Sequence, residues 1–373
     1  MRPILLSLLF ALALAKPASS QIVLGRDYFP VVGDTMYAAV DRLPVGVSVG
    51  EPGPDKRWMF TSLEAPFIRR SVVRRVGEAG RFPEAEVYVP IGEDAEAYFA
   101  TKDDAFCLVG LHGTDPLELG LSLSAGFSPP LPERWAPLRY GDTRSSESSL
   151  QYPFSADQLP AELLDQLPIT PDSLRIRLRI RRQESVDAWG TLTIPGGIYD
   201  VLRIARREQR DIRLDARLGI FPWQDVTDLL PQNEALGPDT ILSYHFFSNQ
   251  APQPIAVVYV NGQDEEVKAV EFKANDITTE VKSVEISSPG VYAFPNPAIL
   301  DVRFEFYNLP VGEYKLTIYN ILGQEVWSER YLIDGTFAER VDLSAFRKGT
   351  YLYSLTDERG KTLSTQRLIV VKP

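Results

Sequence analysis

The stretch "DSLRIRLRIRRQESV", residues 172–186, restricts the fold more than any other part of the chain. Leu174, Ile176, Leu178 and Ile180 fall on one parity, and Arg175, Arg177, Arg179 and Arg181 on the other. A helix would scatter these side chains around its axis, whereas an extended strand sends them to opposite faces. The apolar face must be buried, and the arginine face must be solvated or paired with acids on a neighbouring strand. Such a strand needs partners. "WGTLTIPGGIYDVLRIARREQRDIRLDA" supplies two strands around a turn at Pro195-Gly196-Gly197, and "DTILSYHFFSNQAPQPIAVVYVNG" two more. Upstream, "EAEVYVPI", "EAYFATKDDAFCLVGL" with a turn at residues 102–104, and "LELGLSLSAGF" read as strands. Prolines (29) and glycines (25) provide the many turns that this plan requires. The expectation is a mainly β passenger with a large antiparallel sheet, curved toward a half-barrel.

Residues 127–152 are rich in proline and then serine. Trp135, Leu138, Tyr140 and Leu150 make them too apolar for a tether, so an ordered strand-and-loop passage is expected, with residue 130 the one place where the passenger would divide. "DQLPAELLDQLP", residues 157–168, is the best helix candidate. At the start, Arg2, the apolar run Ile4–Ala15 and the small residues Ala18-Ser19-Ser20 read as a signal peptide over residues 1–20, with cleavage before Gln21 and no cysteine after it for a lipid anchor. The run is too short for a permanent membrane anchor. The formal charge of −11 becomes more negative without Arg2 and Lys16, which disfavours nucleic acid and anionic lipid surfaces as partners. The single cysteine, Cys107, excludes an intramolecular disulfide, and its setting "AFCLVGL" predicts a buried, inert thiol.

"VYAFPNP", residues 291–297, breaks the pattern. Two prolines stop one strand, and alternation resumes at Val302, Phe304 and Phe306. From Tyr292 to Pro373 there are ten acidic and ten basic residues, so the negative charge lies upstream. This composition change divides the chain into a passenger at 21–275, a linker at 276–291 and a module at 292–373. "EYKLTIYNILGQEVWSERYL" reads as a hairpin turning at Gly323, and further strands start near Thr350 and Leu363 around the turn "DERG". A small immunoglobulin-like β-sandwich is expected.

The order "FPNP", "YKLTIYNILGQEVW", "VDLSAFRKGTYLYSLTDERGKTLSTQRLIVVK" resembles the C-terminal sorting domain (type A) of proteins secreted through the type IX system of Bacteroidota. Phe294 stands where that family has tyrosine, followed by Pro295, Asn296 and Pro297. Gly323, Gly349, Tyr351, Lys361 and Lys372 match, and Gln324 replaces the usual lysine. The resemblance implies export through the periplasm, recognition by the outer-membrane translocon, and cleavage by its sorting peptidase. The passenger would then be attached to anionic lipopolysaccharide or released. The passenger resembles uncharacterised regions found before such domains. "GTLTIPGGIYDVLR" is also similar to a periplasmic family with a curved, lipoprotein-carrier-like sheet, which implies an apolar concavity lined by Leu192, Ile194, Val201 and Leu202.

No motif in the passenger declares a reaction. His112 and His245 are the only histidines, and zinc-binding spacings are lacking. "GLSLSAG" nearly matches a nucleophile elbow, so Ser122 or Ser124 with His112 or His245 is the hydrolase candidate. Acids Asp103-Asp104 and Asp264-Glu265-Glu266 sit in turns, the latter group a candidate for calcium. Trp58, Trp135, Trp189 and Trp223 suit a sheet core better than a sugar platform. No cofactor, metal or catalytic residue is assigned. The expectation is a secreted or cell-surface protein with a non-enzymatic binding passenger. The alternatives are a lipid-binding half-barrel and a serine hydrolase.

Overall fold

The computed structural model describes residues 21–371, apart from 66, 78–79, 93, 118, 120, 159–169, 230–235, 263–265 and 276–288. The expected signal peptide, nearly all of the expected helix, most of the linker, Asp264, Glu265 and Lys372 therefore lie outside the described residues. Of the calcium candidates, Glu266 is described, and it pairs with Lys268 at 3.0 Å. The described residues are nearly all β, as expected, with single 3-10 turns at Arg26–Tyr28, Ala156–Gln158 and Thr227–Leu229.

The first sheet contains β1 (Thr35–Asp41), β2 (Gly53–Met59), β3 (Ile68–Val72), β4 (Arg74–Arg75), β5 (Val87–Pro90), β6 (Ala95–Lys102), β7 (Ala105–Gly113), β8 (Leu123–Trp135), β9 (Thr143–Ser155), β10 (Ser173–Ile194), β11 (Gly197–Arg217), β12 (Gln224–Asp225), β13 (Gly237–Phe247), β14 (Ala256–Val260) and β15 (Val267–Lys273). Its order is β3-β1-β15-β14-β13-β11-β10-β9-β8-β7-β6-β5-β4. The two ends of this path are joined by Val73 alone. Val73 exchanges hydrogen bonds with Gly33 and Asp34 on the β1 side, while Val76 donates to Glu86 on the β5 side. β3 and β4 therefore act as one strand that closes the sheet into an antiparallel barrel of twelve staves, with no free edge along the path. The curvature expected from the sequence is carried to full closure. β8 spans residue 130, with a register shift against β7 between Gly126 and Leu131.

The alternating stretch lies in β10, between β9 and β11. Leu174, Ile176, Leu178 and Ile180 are buried inside. The outward arginines find the expected acids. Arg175 and Arg177 reach Asp215 on β11 with Nε–O distances of 2.9 and 2.7 Å, and Arg179 and Arg181 share Glu147 on β9. This charged exterior is unlike the apolar band that a membrane barrel turns to lipid.

The register shifts between Val186 and Ala188, and this bulge lets both faces become buried. Val186, Leu202 and Ile204 stay inside with Tyr28, Phe29, Trp135 and Phe247. Leu192, Ile194 and Val201 turn outward beneath Trp58, Phe60 and Leu63, on a layer that includes β2. β2 runs parallel to β10 and passes so close to Gly190 (φ +158°) that a β-carbon there would collide with the Lys56 backbone. The expected apolar concavity is thereby corrected. Leu192, Ile194, Val201 and Leu202 are 2% exposed or less, and they pack into two different cores on opposite faces of the sheet.

The second sheet comprises β16 (Gly290–Phe294), β17 (Asp301–Asn320), β18 (Glu325–Asp342), β19 (Gly349–Asp357) and β20 (Thr362–Val370). β17 lends its first half to β16 and its second half to β19, with β18 along its other side. Register shifts between Phe306 and Gly312 separate the two halves, which pack face to face: Phe304 meets Tyr353 at 5.2 Å, and the Ala293 N–H donates to the Tyr353 hydroxyl at 3.1 Å. The two layers expected of a sandwich are here linked by shared strands around one core.

Candidate functional sites

The described sorting-motif residues sit at separate turns and strand ends of the second sheet. Phe294 ends β16, and the exposed Pro295-Asn296-Pro297 turn lies along β20. The Asn296 amide donates to the Arg367 carbonyl at 2.7 Å and accepts from the Ile369 N–H at 2.9 Å. Ala298 continues the contact, accepting from Val371 and donating to Ile369 at 2.8 Å each. The turn thus covers part of an edge strand that would otherwise be open.

Gly323 sits at φ +76° in the β17–β18 turn, where Asn320 Oδ1 accepts the N–H groups of Leu322 and Gln324. Gln324, which takes the place of the family lysine, accepts from the Asn320 amide at 2.9 Å. Gly349 has φ +153° at the start of β19. The Tyr351 ring packs edge-on against Phe346 at 5.3 Å, and its hydroxyl donates to the Arg347 carbonyl at 2.8 Å. The backbone of Lys361 closes the β19–β20 turn against Asp357, leaving its side chain exposed. Ile321 and Leu322, at the tip beside Gly323, are 75% and 78% exposed.

In the barrel, the hydrolase candidates share an open cleft of about 690 Å³, lined in part by Arg74, Arg81, Glu96, His112, Ser122 and Ser124. Strand register sets Glu96 opposite His112 and His112 opposite Ser124, one row across β6, β7 and β8. His112 Nδ1 is buried without a hydrogen-bond partner. Burial and Arg81 pull this imidazole below its ordinary value, with Glu96 opposing. His245 is elsewhere. Its Nε2 lies 2.9 Å from the hydroxyl of Ser243, a serine the sequence reading did not single out.

His245 belongs to a buried charged belt inside the barrel. Register places Arg182 opposite Glu208 and Glu184 opposite Arg206, and both pairs are ion-paired. Glu133 reaches both arginines, and Arg134 lies over the rings of Tyr28 and Phe247 at 5.6 and 5.2 Å. Burial would raise the Glu208 carboxyl, but Arg182 and Arg210 overrule it and hold it at about 2. Burial, reinforced by Arg206, Arg182 and Arg134, drives His245 well below its ordinary value and keeps it neutral. Ser146 Oγ and Glu184 Oε2 are buried without partners, on adjacent rows of β9 and β10. The sequence carried one sign of this belt: the parity of Leu174–Ile180 continues into Arg182 and Glu184.

Cys107 is buried, and burial raises its thiol, which makes it a poor nucleophile. Trp58 and Trp135 lie in separate cores, and Trp223 sits between the guanidiniums of Arg175 and Arg217 at 4.7 Å each. The tryptophans form no common platform. Among the described residues, no cluster of three or more histidine, cysteine or acidic side chains is placed to hold a metal.

No curated protein matches the chain closely enough to count as a relative. Among solved structures, the dimeric latent PorU from Porphyromonas gingivalis is similar at 13% identity and a TM-score of 0.21, over 92% of this chain and 34% of that one. The chain thus spans about a third of that protein, and the superposition is too loose to carry an argument. Residues 292–371 match the family model of the secretion system C-terminal sorting domain, so the second sheet is the type IX sorting domain that its motifs resemble, and it marks the chain for export.

Proposed function

We propose that the chain is a type IX secretion cargo: residues 1–20 direct it to the periplasm, 276–291 link, 292–373 are the address, and 21–275 are what is delivered. The family match over residues 292–371 carries this reading. The outer-membrane translocon recognises the folded address, the sorting peptidase cuts near Val291, and the barrel is released or joined to anionic lipopolysaccharide at the cell surface. Phe294, Pro295, Asn296, Pro297, Gly323, Gly349, Tyr351 and Lys361 serve sorting indirectly, by shaping the domain. The exposed Ile321-Leu322 tip is what a receptor would touch. The test appends residues 276–373 to a periplasmic fluorescent protein in a type IX-competent host. Surface or medium fluorescence, lost in a translocon-null strain, supports the reading. Full retention in the periplasm of both strains contradicts it.

The delivered barrel is a non-enzymatic binding or surface protein. Its filled cores and charged exterior support this, as does the lack of hydrogen bonding at His112 Nδ1. A serine hydrolase is the second reading, favoured by the row Glu96, His112, Ser124 in the open cleft. A fluorophosphonate probe separates the two. No labelling is expected, and labelling abolished by Ser124→Ala or Ser122→Ala would establish the hydrolase.

A further inference from the structure

One face of the sorting domain is turned away from solvent. Phe294 pairs with Arg303 and Tyr292 with Glu305 across β16 and β17, so these side chains share the face opposite Phe304 and Phe306 of the domain core. The barrel meets them with Asp41, Arg42 and Phe67. Arg303 Nη1 donates to Asp41 Oδ1 at 2.8 Å, and Arg42 Nη1 donates to Glu305 Oε2 at 3.2 Å. Phe67 packs at a tilt against Tyr292 and edge-on to Tyr307, with centroids 5.0 and 5.9 Å away. Asp41, Arg303 and Glu305 are each no more than 2% exposed.

The barrel presents its acid already oriented. Asp41 Oδ1 accepts the Leu43 N–H at 3.0 Å, and Oδ2 accepts the Glu64 N–H at 2.9 Å. These two donors come from segments that meet only when the barrel layer is folded. The charges run acid-base at 41–42 and base-acid at 303 and 305, so a docking that brought Asp41 to Glu305 or Arg42 to Arg303 would oppose like charges. Burial raises the Glu305 carboxyl in spite of Arg42 and Arg303, so this group is costly where it lies and is better explained by specificity than by stability.

We propose that the β16–β17 face is a docking clamp for this chain's own folded barrel, and that cutting the connecting segment does not by itself release the sorting domain. The clamp requires only that both parts be folded, so it stands or falls independently of the export route. The severed domain stays on the barrel until Asp41–Arg303 and Arg42–Glu305 separate, which makes release a step distinct from cleavage.

The test uses the full mature chain with a protease site placed within residues 276–288, cut in vitro and followed by size exclusion and titration calorimetry of the separated halves. The cut protein is expected to elute as one species. Arg303→Met is expected to weaken association on the order of 100-fold, because it strands the buried Asp41 carboxylate. Asp41→Ala acts in the same direction, and the double variant costs less than the sum. A thermal melt of each variant separates lost docking from lost folding. Should Asp41→Ala loosen the barrel, Arg303→Met, on the outer face of β17, decides. Elution of the cut wild-type protein as two separate halves at about 10 µM, a concentration above the dissociation constant of a specific interface, overturns the proposal, as does unchanged affinity of Arg303→Met.

Discussion

Asn296 shows how a motif residue can matter without touching a receptor. Its side chain makes two hydrogen bonds to the backbone of β20. Asn296→Ala should destabilise the sorting domain by about 1–3 kcal/mol, since each partner lost is worth roughly 1 kcal/mol, with export falling only as the domain unfolds. Calorimetry of the separated domain checks this. Inside the barrel, Arg182 and Arg210 hold the buried Glu208, and Arg182→Met should cost about 3 kcal/mol, the low end for breaking a buried pair, because Arg210 stays on that carboxylate. Acid should act on the same belt in two stages. His245 is depressed in the folded state, so its contribution is present above its unfolded value near 6.5 and is lost as pH falls below it. Glu208 is also depressed, so its contribution is present above roughly 4.3 and is lost as pH falls toward 2. The melting temperature should therefore drop from pH 7 to 5, and His245→Gln should flatten that first part. A melting curve independent of pH over this range would contradict the assignment.

At the scale of elements, β10 was the most legible part of the chain. Alternation gave both its faces, because a two-residue period leaves no other arrangement, and left its arginines either solvated or paired with acids on a neighbouring strand; the structure shows the pairing. The same strand also shows where legibility stops. The bulge at Asp187 swaps the buried face, and no local signal marks it, so Leu192 and Ile194 were expected in a cavity that the β2 layer fills instead. Arg182 and Glu184 were readable only as a break in an apolar parity, and their partners Arg206 and Glu208 needed the register to be known. Glu96 joined His112 and Ser124 for the same reason. The outward ion pairs make a prediction at this scale. Glu147→Gln removes an exposed acid and should cost less than about 1 kcal/mol, while Asp215→Asn, buried between two arginines, should cost several times more. Equal effects in denaturant titrations would contradict the difference in burial.

The molecule as a whole joins a closed barrel to a small address. Closure depends on a single residue, Val73, linking the strand paired with β1 to the strand paired with β5. The barrel should accordingly unfold as one unit, with amides of β3 protected from exchange alongside those of β10 and β11. The export address was legible because it is a compact run of turn glycines, prolines and strand residues whose positions are set by local geometry. The barrel's closure was not, because it depends on pairing between strands far apart in sequence. The most direct test of the account is the location and intact mass of the mature protein in a type IX-competent host, with and without residues 292–373. The account predicts that the full chain appears outside the cell, beginning at Gln21 and ending near Val291, while the truncated chain remains folded in the periplasm. Equal export of the truncated chain, with the native protein keeping its C-terminus, would contradict it.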